Sequence, residues 1–332
     1  MSQVQVLVEE LSKTYRVPER EPGLLSALRG LGRRTYREVP AVRAISFSIQ
    51  PAEVVGFIGP NGAGKTTTLK MLAGLLHPTS GQALVSGWRP WERRPGFLRG
   101  ISMLLGNKSQ MLWDIPPLDT FRVLAEIYAI PPAEYRRTLD ELVALLEMEE
   151  LLKKPVRNLS LGERMKCELV AGLLHRPSVL FLDEPTLGLD LSMQARLRGF
   201  LGEYNRRHGA TIILTSHYMA DVQALCPRVI LIHHGQLLYD GELSGLARRL
   251  APFKLVRLAL RPELGPLPEA LDLPEGVDLL SREDSTLTLR VPRSETAALT
   301  AHLLQSLPVS DLSVEDPPIE AVIDRVYREG SL

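Results

Sequence analysis

The apolar run Val54-Val55-Gly56-Phe57-Ile58 leads straight into Gly59-Pro60-Asn61-Gly62-Ala63-Gly64-Lys65-Thr66-Thr67, and no other stretch restricts the fold as tightly. It satisfies G-x-x-x-x-G-K-[ST] at every position. Glycines here let the backbone curl until successive N–H groups point inward at phosphate oxygens, while Lys65 supplies positive charge and Thr66 a hydroxyl suited to Mg2+. The apolar run predicts a strand and Thr66 to Leu76 a helix, whose N-terminal donors and dipole favour negative charge. A strand, a phosphate cradle and a helix in that order imply an α/β fold that holds a nucleotide.

The length of 332 residues suits about two domains with a proper core. Lys+Arg and Asp+Glu both number 39, so no global charge favours a polyanion and no nucleic-acid partner is expected. Cys167 and Cys226 form no C-x-x-C pair and are read as buried small hydrophobes in a reducing compartment. No apolar run approaches the roughly eighteen residues of a membrane span, and Glu9, Glu10 and Lys13 replace a signal core. A cytoplasmic chain is expected, reaching a membrane only by docking on a partner.

Val4, Val6 and Val8, then Ile45, Phe47 and Ile49, alternate as half-buried strands do. Residues 16–38 between them set Leu24, Leu25, Leu28 and Leu31 among Arg29, Arg33, Arg34 and Arg37, a basic insert read as a solvated loop or an amphipathic segment. A short strand pair is expected at Gln82–Val85 and Ile101–Leu105. Helical spacing follows from Leu118 and again from Tyr135 to Leu146, with Pro131-Pro132 between. Ser160 is placed to cap a helix running to about His175.

Val179-Leu180-Phe181-Leu182 is continuously apolar and ends in Asp183-Glu184, as a buried parallel strand delivering acids to its C-terminal edge would. Phosphoryl transfer needs positioning more than covalent help: Asp183 can hold Mg2+ through water and Glu184 can orient or deprotonate the attacking water. A helix is expected from about Leu191 to Arg207. Thr211 to Ser216 is a further buried strand and delivers His217; Met219–Cys226 is a short helix, and 229–232 with 236–239 a hairpin. Beyond the proline-rich stretch 261–268, residues 251–332 mix strand and helix patterns as a small α+β unit. Strands are expected near 253–260, 277–280, 287–291 and 310–315, and helices at 294–307 and 318–327.

The order of phosphate loop, Leu159-Ser160-Leu161-Gly162-Glu163, Asp183-Glu184-Pro185-Thr186-Leu187-Gly188-Leu189-Asp190 and Thr215-Ser216-His217 resembles the ATPase subunit of ATP-binding cassette (ABC) transporters. The resemblance covers about residues 4–242. It implies a P-loop NTPase fold with an antiparallel β subdomain and a helical subdomain at about 115–175, the whole domain spanning 1–245. It implies ATP and Mg2+ as ligands. Tyr15 would stack on adenine; Gly59, Asn61, Gly62, Gly64, Lys65, Thr66 and Thr67 would hold phosphates. Ser160 and Gly162 would reach the γ-phosphate of a nucleotide bound to a second copy, Asp190 would link the two sites, and His217 would contact the γ-phosphate and Glu184.

The sequence departs from the family pattern twice. Leu161 stands where a glycine is usual and Glu163 where glutamine is, which removes an amide donor; Leu161 should point away from the nucleotide. The glutamine expected after the 101–105 strand is replaced by Gly106-Asn107-Lys108-Ser109-Gln110, so Asn107 or Gln110 would offer the amide oxygen to Mg2+. A single cassette with a short tail looks like the exporter-type, daunorubicin-resistance-like group, and 16–38 with 107–117 resembles a branch related to viologen exporters. Those chains serve separate integral membrane permeases from the inner membrane face, and 16–38 would touch the permease or anionic lipid. The other readings are an importer-type ATPase with a ligand-sensing tail and a non-transport ABC ATPase.

Overall fold

The structure is a computed structural model that describes residues 4–18, 36–106, 108–216, 218–250, 252–261, 273–274, 276–283, 285–318, 322–323 and 327. Asn107, His217, Arg29, Arg33, Arg34, most of the proline-rich stretch and most of the helix expected at 318–327 lie outside them. The chain divides into one compact unit at Met1–Leu243 and a second at Ser244–Leu332.

The first unit opens on two long antiparallel strands, β1 (Val6–Pro18) and β2 (Tyr36–Ile49), whose alternating Val6, Val8, Ile45, Phe47 and Ile49 enter one core. Their pairing continues to Pro18 opposite Tyr36, so 16–18 and 36–38 are strand, a correction to their reading as part of a loop. β3 (Val54–Ile58) feeds the glycine loop and α1 (Lys65–Leu72). α1 stops before the expected Leu76 because Gly74 takes φ +70, where a Cβ would lie 2.3 Å from the Pro90 carbonyl oxygen.

The expected pairing of 82–85 with 101–105 is also corrected. β4 (Ser80–Val85) joins the antiparallel sheet of order β2-β1-β4, whereas β5 (Ile101–Leu105), reached through α2 (Pro95–Gly100), edges a different sheet. A connection that holds a helix is no tight hairpin and carries the chain between layers. α3 (Pro117–Ile127) and α4 (Pro132–Leu146) each begin on a proline, whose fixed φ suits a first turn. They bury Phe121 and Ala125, and Leu139, Leu142, Val143 and Leu146. α5 (Leu161–Leu173) ends the helical stretch.

The remaining elements are β6 (Val179–Asp183), α6 (Leu191–His208), β7 (Thr211–Thr215), α7 (Met219–Leu225), β8 (Arg228–His233) and β9 (Gln236–Glu242). They complete a six-stranded sheet of order β5-β6-β7-β3-β8-β9, parallel except for β9. β8 and β9 turn at His234-Gly235, both at positive φ, the combination that follows strand twist. Every residue of β6 and β7 is buried, as a parallel sheet covered on both faces requires. This order sets the C-terminal ends of β6, β7 and β3 side by side, so the acid pair, Thr215 and the glycine loop share one edge.

The second unit begins along α8 (Leu243–Leu250) and contains β10 (Phe253–Leu260), β11 (Asp278–Glu283), β12 (Thr286–Pro292), α9 (Thr296–Ser306) and β13 (Val309–Glu315). Its antiparallel sheet has the order β11-β12-β10-β13. Val256, Leu258, Leu287, Leu289 and Val291 from the sheet pack with Leu299 and Leu303 of α9. Among the described residues no helix is long and apolar enough to cross a membrane.

Candidate functional site

The glycine loop is shaped from both sides. Gly64 takes φ +109, and a Cβ there would sit 2.5 Å from the Ala41 carbonyl oxygen; a Cβ on Gly59 would sit 2.3 Å from the Ile232 carbonyl oxygen. Gly62, at φ +79, meets nothing within 4 Å on its Cβ side. No side chain caps α1, which leaves its first N–H groups to an anion. Lys65 is buried, and its Nζ donates to the Gly59 and Pro60 carbonyls at 2.5 and 3.1 Å. Burial pulls its pKa below the ordinary lysine value, partly opposed by Glu184 and Asp183. Asn61 and Gly62 are exposed, Gly59 and Thr67 half-buried. Such a cradle fits a polyphosphate.

Asp183 is almost fully buried and accepts from two hydroxyls. Thr66 donates to both its carboxylate oxygens at 3.1 and 2.9 Å, and Thr215 to one at 2.7 Å. A hydroxyl and a carboxylate brought together as hard oxygen donors fit Mg2+, whose other positions water and phosphate would fill. Beside them Glu184 takes φ +55, an uncommon conformation for a residue with a side chain. It is held there by its own N–H, which donates to the carbonyl and hydroxyl oxygens of Thr215, each at 3.1 Å. Strained backbone fixed by neighbours is the mark of a side chain whose direction matters.

A second cluster lies at the head of α5. The Ser160 hydroxyl oxygen accepts the Glu163 N–H at 3.2 Å, and the Glu163 carboxylate accepts the Ser160 N–H at 2.7 Å, a complete capping box. Accepting leaves the Ser160 hydroxyl proton to donate outward. Leu161 is half-exposed, its tip 3.1 Å from where a Gly188 Cβ would be, and Met193 covers Gly162 at 3.2 Å from a Cβ there. Asp190 caps α6 by accepting the Met193 N–H at 2.8 Å. The Leu161-Gly162 segment and the 188–193 segment therefore pack on each other.

Tyr15 stands on β1 opposite Val39, 37% exposed, with Lys13 Nζ 5.6 Å above its ring. Ala41, two residues along β2 from Val39, is the residue whose carbonyl oxygen is pressed on Gly64. Gln110 is exposed; its backbone N–H donates to the Glu168 carboxylate at 3.0 Å. Asn107 and His217 lie outside the described residues.

Two buried acids escape sequence reasoning. Asp221, fully buried, accepts from Thr186 at 2.5 Å, Ser216 at 2.9 Å and Arg198 at 2.7 Å, tying the loop after Glu184 to the end of β7. Glu168 accepts from Ser109, Gln110 and Met111. Asp221 is the one charged residue of the helix Met219–Leu225, the signal that marks it, whereas Glu168 follows Glu163, Arg164 and Lys166 and nothing in the sequence sets it apart.

The family described as "ABC transporter" matches residues 42–187, and "EvrA-like ABC transporter, C-terminal domain" matches 252–315. The chain is similar to the ABC transporter ATP-binding protein NatA of Bacillus subtilis, 34% identical over 63% of this chain and 84% of that protein. It is also similar to the Nod factor export ATP-binding protein I of Ralstonia nicotianae, 32% identical over 72% of this chain and 76% of that one. Among solved structures, an ATP-binding subunit of an ABC transporter superposes with a TM-score of 0.62 at 26% identity, covering 74% of this chain and 93% of its own. An ATP-binding cassette solved as a post-hydrolysis dimer with ADP and Pi, 19% identical, shares the fold at a TM-score of 0.59 over 72% of this chain and 98% of its own.

Proposed function

The chain belongs to the ATP-binding subunits of ABC transporters, and from that premise we propose that it drives export through a separate membrane-spanning partner by closing on a second copy around two ATP molecules. It binds and hydrolyses ATP. The observation that carries the reading is Glu184, clamped by Thr215 at a strained φ beside the Thr66–Asp183 pair, where a base or water-orienting group belongs. Export is favoured by the similarity to the Nod factor export protein.

The roles follow from the placements. Gly59, Asn61, Gly62, Gly64 and the α1 N-terminus bind the phosphates, Thr67 lies in the first turn of that helix, and Lys65 leaves its loop carbonyls to meet anionic oxygens. Thr66 and Asp183 hold Mg2+, with Asn107 or Gln110 as the candidate amide ligand; the ion would neutralise charge developing on the phosphates. Tyr15 stacks on adenine. Ser160, with its outward hydroxyl proton, and Gly162 meet the nucleotide of the second copy, Asp190 links the two sites across that contact, and His217 contacts the γ-phosphate and Glu184. Residues 1–245 form the ATPase domain, 115–175 its helical subdomain, and 251–332 an accessory domain.

The chain works on the cytoplasmic face of the membrane, docked on its permease, with 16–38 touching the permease or anionic lipid. Replacing Arg29, Arg33, Arg34 and Arg37 together should weaken assembly with the permease and spare ATP binding. Unchanged copurification would remove this contact.

Glu184→Gln tests the central reading, since it keeps the shape and removes the base. ATP turnover should fall at least a hundredfold, and an ATP-dependent dimer should accumulate on size exclusion. Turnover at the wild-type rate with a monomeric elution profile would overturn it. Recovery of the complex from membranes identifies the partner, and ATP-driven uptake into inside-out vesicles of that complex tests the direction.

A further inference from the structure

A cavity of about 150 Å³ opens between the end of α4, the middle of α5 and the first half of α6. None of its walls comes from the glycine loop, β6 or β7, so it is not the nucleotide cradle. Leu169, Leu197 and Phe200 give it an apolar lining, and Met165 and Met193 add side chains that adapt to irregular shapes. Its polar groups gather at Glu147. Lys166, 7% exposed, donates from Nζ to the Glu147 carbonyl at 3.3 Å, and Arg196 meets the Glu147 carboxylate at 3.4 Å. An ammonium carries three donors, and that carbonyl is the one acceptor Lys166 meets among the described residues. A buried cation with donors to spare is costly in apolar surroundings. Two cations stand here against one carboxylate, and the carboxylate faces solvent. One further negative charge would complete the balance.

Gly199 supplies a second, independent observation. It sits inside the eighteen-residue α6, where glycine weakens a helix relative to alanine, and it lies one turn past Arg196 on the same side. Its backbone is ordinary helix, and a Cβ there would meet nothing within 4 Å. Neither backbone geometry nor close packing calls for a glycine. What its missing side chain does is leave the mouth of the cavity open. We propose that this cavity binds a small amphipathic monocarboxylate. The carboxylate accepts from Lys166 and Arg196 beside Glu147, and one aromatic ring or a short alkyl chain lies among Leu169, Leu197 and Phe200. Size follows from the volume, since an apolar cavity of about 150 Å³ takes one benzene ring. Binding there needs neither a second copy nor a membrane partner, so it stands apart from the transport role proposed above.

Three probes with one apolar body and different charge test this: 4-ethylbenzoate, 4-ethylbenzyl alcohol and 4-ethylbenzylamine. Each is titrated into the full chain and followed by ligand-observed NMR, with Mg2+ and ADP at saturation so that the nucleotide cradle is filled. The acid should bind with a dissociation constant below about 1 mM, the alcohol at least about tenfold more weakly, and the amine not at all. Lys166→Met keeps an unbranched stem and removes the charge. It should weaken the acid about tenfold or more and leave the alcohol within about twofold. Gly199→Leu plants a side chain at the mouth. It should abolish binding of acid and alcohol alike while ATP turnover stays within about twofold of wild type. If Lys166→Met gives no cooperative melt, Gly199→Leu carries the test. Equal binding of acid and alcohol, acid affinity within about twofold of wild type in a folded Gly199→Leu, or no acid binding up to about 10 mM would overturn the proposal. These outcomes are read without ATP hydrolysis or dimerisation, so they are distinct from failure of Glu184→Gln to trap a dimer.

Discussion

Glu163 and Ser160 hold each other at the head of α5: carboxylate to Ser160 N–H at 2.7 Å, hydroxyl oxygen to Glu163 N–H at 3.2 Å. The residue that departs from the family's glutamine is thus a charged cap at the positive end of a helix. Its pKa lies below the ordinary glutamate value, chiefly because of the Ser160 N–H. A carboxyl lowered on folding contributes stability above its unfolded pKa and loses it as pH falls through the folded one. Glu163→Gln should cost about 0.5 kcal/mol at pH 7, modest because the carboxylate is largely solvated, and nothing once pH falls well below ~4. Thermal midpoints of both proteins between about pH 3 and 7 check this.

Among the described residues Lys65 Nζ bonds to carbonyls of its own loop, so on the proposed function Lys65→Ala should remove a phosphate ligand while leaving the apolar core packed. ATP affinity should fall at least tenfold and kcat by about 10²–10³. The thermal midpoint should move by less than ~4 °C. Calorimetric titration with ATP and a melt separate the two effects.

Asp221 answers three donors in a fully buried place. Asp221→Ala strands Arg198, Thr186 and Ser216 together and should cost about 3–5 kcal/mol. Asp221→Asn, which keeps the shape and one acceptor, should cost less. Urea unfolding of the pair orders them.

Two glycines of one loop should answer differently to alanine. Gly62 has open space on its Cβ side and positive φ alone to object, so Gly62→Ala should cost about 1–2 kcal/mol. Gly64→Ala drives a methyl into the Ala41 carbonyl as well and should lose several kcal/mol or fail to fold. Soluble yield and urea midpoints distinguish them.

Where the pattern is local, the sequence is explicit. Alternation announces β1 and β2, the four apolar residues before Asp183 announce a buried strand, and the loop motif names Thr66, which the structure brings to 2.9 Å from that acid. What fails to show is set by partners distant in sequence. β4 and β5 look like neighbours until the helix between them sends each to its own sheet. The end of α1 is decided by the Pro90 carbonyl crowding Gly74. Glu168 and Asp221 are answered by backbone amides, hydroxyls and an arginine that no spacing rule connects to them.

Cys167 lies in α5 and Cys226 just past α7, and burial pushes each thiol up to about 12. Neither is a thiolate at neutral pH, so each meets an alkylating reagent only when its own surroundings come apart. The pair therefore amounts to two chemical clocks, one in the helix whose first turn carries the capping box and one beside the central sheet. Their relative labelling rates would say which part of the ATPase unit breathes first.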